Sequence, residues 1–372
     1  MLLPIFAAVV VGGTMLGGGR GGCLGPMFGA FILMLLVNVL LVLDVSPFYT
    51  TIVEGVILIL AVLGATLGKV SSLAEALHFG GLKLRAWRTA GLSPIGASAD
   101  RRISLISART SAPINDELTG PPWRQWITRH ADALRYSLPA YGLLVVVLIG
   151  TLALYGDGVV SVQYLNSLFL LTTLLAVLGL GQGVVILTGG LDLSVPWTIT
   201  LSAVVLSGLA SSSDLSVIWA IPAVLLIGLL IGAFNGAGVV VLGLPPIVVT
   251  LAANGIVQGA ALVYVDPEKG SMVANAPAAA IWFMDSKLLG LSPVVWFLMP
   301  FVAAGTLLLG RTTFGRSIYV VGSSRMVGKL SGVGVGRTLM GVYMLSGLCS
   351  ALAGILLVGL SNSAYRGMGD PF

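Results

Sequence analysis

The feature that most constrains this chain is a series of ten apolar runs, each near the length that crosses a bilayer. They lie at about 2–17, 24–43, 47–64, 137–155, 164–188, 196–212, 217–241, 246–265, 291–309 and 338–360. A helix needs roughly twenty apolar residues to span the hydrocarbon core, so each run is read as a membrane helix. Only 9% of the residues are charged and 57% are hydrophobic, more apolar surface than a soluble domain can hide. The expected fold class is therefore all-α, a polytopic membrane protein of about ten transmembrane helices. Glycine is abundant, with 50 residues, which suits membrane helices that approach closely through small side chains.

Charge placement orients the runs. Arg311, Arg316, Arg325, Lys329 and Arg337 fall together in 311–337, without an acid among them. Positive loops stay on the cytoplasmic side. With that loop inside, counting through the spans puts the linker 65–135 and Arg20 inside as well. These three regions hold 16 of the 19 Lys and Arg residues. Lys269, Lys287 and Arg366 fall outside, as do Asp44, Asp157, Asp214, Asp266, Glu268, Asp285 and Asp370. The linker is rich in Ser, Pro, Arg and Asp and reads as a largely disordered cytoplasmic segment. Residues 123–136 could lie along the membrane surface, although an ordinary flank before the next span is the plainer reading. The net charge of +5 does not indicate nucleic acid, because the basic residues mostly flank spans.

No catalytic constellation, metal-ligand spacing or cofactor motif stands out. The GVGVGRT run at 332–338 lacks the lysine and spacing of a phosphate loop. His78 and His130 have no ligand partner at useful spacing, and Cys23 and Cys349 sit in separate apolar runs. Two acids lie at or near lipid depth. Glu54 is the one fair candidate for a moving ion or proton, yet it stands close to a span end, where snorkelling or an internal hydrogen bond accounts for it. Asp192 follows the helix-breaking Gly189–Gly190 pair and precedes Ser194 and Pro196, so it reads first as a cap for the next helix. A broken helix at membrane depth must line protein or a cavity. Gly189, Gly190, Asp192 and Ser194 are therefore pathway candidates, with Asn235 and Asn254 as polar groups in neighbouring runs.

These same residues carry a resemblance. Thr188-Gly-Gly-Leu-Asp-Leu-Ser-Val195 is similar to the GGIDLSVG segment of the permease subunits of ribose-type bacterial ABC importers, in the branched-chain amino acid and sugar permease superfamily. Asn235–Gly236, Pro245–Pro246 and Thr250–Leu251 resemble the next family segment. Phe314–Gly315–Arg316, Tyr319, Gly322 and Leu330–Ser331–Gly332 resemble the cytoplasmic coupling segment, and Ser346–Gly347 and Ala351–Leu352–Ala353–Gly354 follow in order. Departures are Pro196, where the family usually has Gly, Ser323 and Ser324, where a Gly-Asn pair is common, and Val327–Gly328, where small Ala residues are common. The order of the pieces is unusual. Ala7–Ala8–Val9–Val10, Gly12–Gly13–Thr14 and Gly18–Gly19–Arg20–Gly21 resemble what should follow residue 372. The chain reads as a circular permutant, three spans in 1–64 and seven in 136–372, or as a slice across two fused permeases. The complete ten-span unit is the favoured form.

The resemblance implies a membrane-spanning permease subunit of an ATP-binding cassette importer in the bacterial inner membrane, not an enzyme, carrying a small polar solute, expected to be a monosaccharide such as ribose. Its implied partners are ABC ATPase subunits, a periplasmic substrate-binding protein, a second permease copy and membrane lipid. The coupling residues carried over are Phe314, Gly315, Arg316, Tyr319, Gly322, Leu330, Ser331 and Gly332, with Arg325 as the basic contact and a short docking helix expected over 322–332. An ion-coupled secondary transporter is the alternative.

Overall fold

Helix α1 (Leu3–Val11) and α2 (Leu24–Val42) form an antiparallel pair in the computed structural model of the chain. The structure describes residues 3–14, 18–19, 21–42, 161–210, 216–264 and 272–370, with a few isolated helical residues between 55 and 153. Glu54, the linker 65–135, the proposed surface helix 123–136 and most of the spans expected at 47–64 and 137–155 lie outside the described residues. The described helices belong to one compact unit made of residues 1–61 and 137–372.

Among the described residues, six long helices follow α2: α3 (Val162–Leu187), α4 (Val195–Ala210), α5 (Val217–Val240), α6 (Pro246–Tyr264), α8 (Pro293–Arg311) and α11 (Val335–Ser361). Between them lie the short helices α7 (Ala278–Asp285), α9 (Thr313–Ser323) and α10 (Arg325–Leu330). Two strands, β1 (Met272–Asn275) and β2 (Ser363–Tyr365), pair antiparallel. Among the described residues, five helices, α3, α5, α6, α8 and α11, are long and apolar enough to cross a bilayer. The chain is thus an all-α polytopic membrane protein with one small ribbon.

The sequence punctuates these helices locally. The Ser161 hydroxyl caps α3 by accepting from the Tyr164 amide at 3.2 Å. The helix ends at Thr188, followed by Gly189 at φ +76°, a left-handed turn that glycine adopts without strain. Asn362 closes α11 in the left-handed region at φ 58°. The first helix is shorter than expected. The apolar run 2–17 gives only nine helical residues, because Gly12 and Gly13 turn the chain after Val11.

The core is built around α11, which packs on α3, α4 and α5, while α1 and α2 pack on α3. The inner half of α3, Leu174–Leu187, is buried without interruption. Against α11, helix α5 comes within backbone contact. A Cβ at Gly347 would overlap the Gly228 carbonyl, and one at Gly232 would overlap the Tyr343 carbonyl. Such approach lets dispersion forces act between backbones where lipid offers no hydrophobic drive.

The contacts sort the helix ends into two groups. At one end, Asn166 at the start of α3 holds Ser292 before α8 through bonds of 2.9 and 2.7 Å. At that end too, β1 pairs with β2, and α7 lies over Gly359 of α11. At the other end, the Gly19 amide donates to the Leu187 carbonyl at 2.9 Å, and Tyr319 donates to the Gly21 carbonyl at 3.0 Å. Helix α4 has 16 residues, about 24 Å of helix. The non-helical segment 188–194 supplies the rest of its passage between the two ends.

Candidate solute pathway and coupling segment

Asp192 sits on the non-helical segment between α3 and α4 and is 1% exposed. Its Oδ1 accepts from the Ser194 amide at 3.0 Å and the Ser194 hydroxyl at 2.6 Å. The Asn235 amide on α5 lies 3.4 Å from the same oxygen and donates to Ser194 Oγ at 2.8 Å. The Ser346 hydroxyl on α11 donates to Oδ2 at 2.7 Å. Donors thus converge on both of its carboxyl oxygens. In the orientation that matches donors to acceptors, Gln182 on α3 donates to the Asp192 carbonyl at 3.3 Å and accepts from its amide at 3.2 Å. Thr250 on α6 reaches the Leu191 carbonyl at 3.4 Å. Four helices, α3, α5, α6 and α11, thus hold one short non-helical segment.

The local sequence explains part of this node. Asp-x-Ser forms a turn that starts α4, with Pro196 in the first turn where no amide is needed. Gly190 leaves room for the buried Tyr343 ring, because a Cβ there would come within 2.6 Å of the hydroxyl. Of the pathway candidates, Asp192, Ser194 and Asn235 meet in the node, and Gly189 and Gly190 lead into it. Asn254 does not join it. It stands one helical turn beyond Thr250, half-buried, with its Oδ1 inaccessible and without a partner. Gln182, Thr250, Tyr343 and Ser346 were not singled out by sequence reasoning. Ser346 and Thr250 stood inside quoted motifs, but nothing local says what they hold.

The basic stretch 311–337 holds two short helices, α9 and α10, between α8 and α11. Thr312 caps α9 by accepting from the Gly315 amide at 3.0 Å. Ser324 is extended, ends α9 and caps α10 by accepting from the Val327 amide at 3.3 Å. The helix expected over 322–332 is therefore α10 alone, with Gly322 at the end of α9. Helix α9 buries Gly315, Ile318 and Val321 on one side. Phe314 lies over Gly341 of α11, and Gly322 abuts the Leu187 carbonyl so closely that a Cβ would overlap it. Burial first, and the neighbouring Cys23 second, push the Tyr319 phenol above its ordinary range, so it remains the donor to Gly21. Helix α10 points outward. Met326 is 69% exposed, Val327 55% and Leu330 82%, with Arg325, Lys329, Ser331 and Gly332 exposed beside them. Arg311, Arg316 and Arg337 are exposed as well.

Residues 164–371 match the profile of a family described as branched-chain amino acid transport system / permease component. The autoinducer 2 import system permease protein LsrC of Enterobacter sp. (strain 638) is 34% identical over 214 residues, 58% of this chain and 61% of that protein. LsrC of Escherichia coli (strain K12 / DH10B) is 35% identical over 215 residues, 58% of this chain and 62% of that protein. The autoinducer 2 import system permease protein LsrD of Photorhabdus luminescens is 32% identical over 236 residues, 62% of this chain and 70% of that protein. The match spans about three-fifths of the length of the first of these relatives. No solved structure matches the chain.

Proposed function

We propose, because the chain belongs to the branched-chain amino acid transport system / permease component family, that it is the membrane-spanning subunit of an ATP-binding cassette importer in the bacterial inner membrane. The relatives are permease proteins of an import system, which favours import of a small polar solute. We carry over a monosaccharide such as ribose as the expected cargo. The expected partners are ATPase subunits inside, a binding protein outside and a second permease copy. The end that carries α9 and α10 is then cytoplasmic, as is the linker 65–135, and the end that carries β1, β2 and α7 faces the periplasm. Helices α1 and α2 fill the place in the bundle that the family's C-terminal part takes.

The observation that carries this reading is α10. It exposes Met326, Val327 and Leu330 among basic residues, a surface costly to leave in water and suited to a groove with acidic walls. Its neighbour α9 is anchored to the bundle at Leu187, Gly21 and Gly341. An ATPase that grips α10 and changes shape on binding nucleotide would favour one arrangement of the bundle over another. Access then switches by the difference in affinity for the two arrangements. Phe314, Gly315, Arg316, Tyr319 and Gly322 are the supports of that grip. Arg325, Leu330, Ser331 and Gly332 are its contact surface.

The test is Arg325→Glu in proteoliposomes that hold the chain, its ATPase and its binding protein. ATP hydrolysis should persist while ATP-driven uptake of radiolabelled ribose and related monosaccharides falls away. Normal coupled uptake by that variant would remove the docking role of α10.

A further inference from the structure

Helix α6 carries three polar side chains at Thr250, Asn254 and Gln258. Spaced by four, they stack on one line of the helix in an otherwise apolar span. The line begins at the segment that holds Asp192, since Thr250 Oγ1 lies 3.4 Å from the Leu191 carbonyl. It then runs toward the β1–β2 end of the bundle. Thr250 also bonds its own Pro246 carbonyl at 2.9 Å, so its polar atom is provided for. Asn254 is not provided for in the same way. Its Oδ1 is shut off from solvent and has no partner among the described residues. A buried amide left unmatched costs on the order of 1–3 kcal/mol. A side chain kept merely to hold two helices together would have found its partner on one of them.

The neighbouring face of α4 supplies the opposite wall. Thr250 marks where α6 meets the segment before α4, and Gly208 faces the Tyr264 ring where both helices end. The two helices therefore run in the same direction. Trp197 and Gly208 lie eleven residues apart, three turns on one stripe, so Trp197 is on the side of α4 that faces α6. Counting eleven residues back from Tyr264 along α6 puts its level near Ala253 and Asn254. Trp197 is half-buried, as is Gln258, whereas Ile199, Ser202 and Ala203 on the opposite side of α4 pack against α11.

We propose that the seam between α4 and α6, lined by Trp197, Asn254 and Gln258, is the solute-recognition stripe of the permeation route. This rests on the importer reading above. An amide offers both a donor and an acceptor, which suits the hydroxyl groups of a small polyol. An indole face suits the apolar C–H face of the same molecule. The stripe starts at the Asp192 node, so the node fixes the wall and does not itself touch solute. Asn235, fully buried and bonded to Ser194, belongs to the support and Asn254 to the wall.

The test is cysteine accessibility in membrane vesicles that contain the full-length chain. The native Cys23 and Cys349 are both buried, which keeps the background low. Asn254→Cys and Gln258→Cys should react with the hydrophilic reagent methanethiosulfonate ethylammonium about tenfold faster than Met299→Cys on the exposed face of α8, because the reactive thiolate forms only where water reaches it. Radiolabelled ribose at saturating concentration should slow that reaction at both positions. Rates equal to that of Met299→Cys would overturn the stripe. The labelling rates need neither ATP nor partner subunits. They judge the seam even where ATP-driven uptake, measured separately, goes against the importer.

Discussion

Removing the Asp192 carboxylate while keeping its shape separates support from chemistry at this site. In Asp192→Ala, the Ser194 amide loses its acceptor inside the bundle, and both serine hydroxyls lose a bond to the carboxyl group. The hydroxyls have alternatives. Ser346 can turn to the Val342 carbonyl one turn back, and Ser194 still accepts from Asn235. The amide has none. One orphaned buried amide plus partly recovered hydroxyl bonds sums to about 2–4 kcal/mol. In Asp192→Asn the remaining carbonyl oxygen can face the Ser194 amide, and Ser346 can accept from the new amide nitrogen. That variant should lie within about 1 kcal/mol of the native chain, since it keeps both the shape and the acceptor for the Ser194 amide. The assay is thermal unfolding of the detergent-solubilised protein, followed by size-exclusion chromatography. Asp192→Ala should lose on the order of 5 °C in midpoint and Asp192→Asn much less. An alanine variant as stable as the native chain would refute the capping argument. An asparagine variant that folds normally yet abolishes ATP-driven uptake would refute it from the other side, because the acid would then act on something other than the fold.

Gly347→Val should break the α5–α11 contact at the Gly228 carbonyl, at a cost of about 3 kcal/mol or more, whereas Gly255→Val on α6, where a Cβ meets nothing, should be tolerated. The yield of monodisperse protein in detergent checks both, and equal yields would contradict the packing. For sidedness, Ser331→Cys and Lys287→Cys can be probed with an impermeant thiol reagent in intact cells. Only Lys287→Cys should label, as the charge parity of the spans requires, and the reverse pattern would invert the topology.

Most of the helices could be read from the sequence because each is an apolar run ended by its own local chemistry. Helices α3, α5, α6, α8 and α11 lie within a few residues of the runs that announced them. The misses have local causes. The first run was counted through Gly12 and Gly13, which end α1. The docking helix was expected over 322–332, and Ser324, extended and free to cap, ends α9 there and confines it to Arg325–Leu330. The candidate site was legible only in part, for a different reason. Asp192 and Ser194 are two residues apart, so their turn follows from sequence. Ser346 is 154 residues away and Asn235 is 43, and nothing local tells which buried serine or asparagine meets the acid.

Those long-range pairings give the segment 188–194 its position between two anchored ends. Gly322, at the corner between α9 and α10, abuts the Leu187 carbonyl, and five residues later Asp192 is tied to α5 and α11. A push on α10 therefore reaches the wall of the α4–α6 seam through one short, fully bonded segment. Contiguity alone does not make coupling, which needs an element with two arrangements that both sites bias. The non-helical segment is the natural candidate for that element. Its Thr188, Gly189 and Gly190 amides still bond α3 carbonyls and its Ser194 carbonyl accepts from Thr198, whereas Leu191 and Asp192 are held by side chains of neighbouring helices, so a shift of its middle unwinds no helix. If it moves, Arg325→Glu and Asp192→Ala act on the same step, and their effects on uptake should be less than additive in the double variant. Full additivity would mean that docking at α10 and support at Asp192 are independent, and that the route between them runs elsewhere in the bundle.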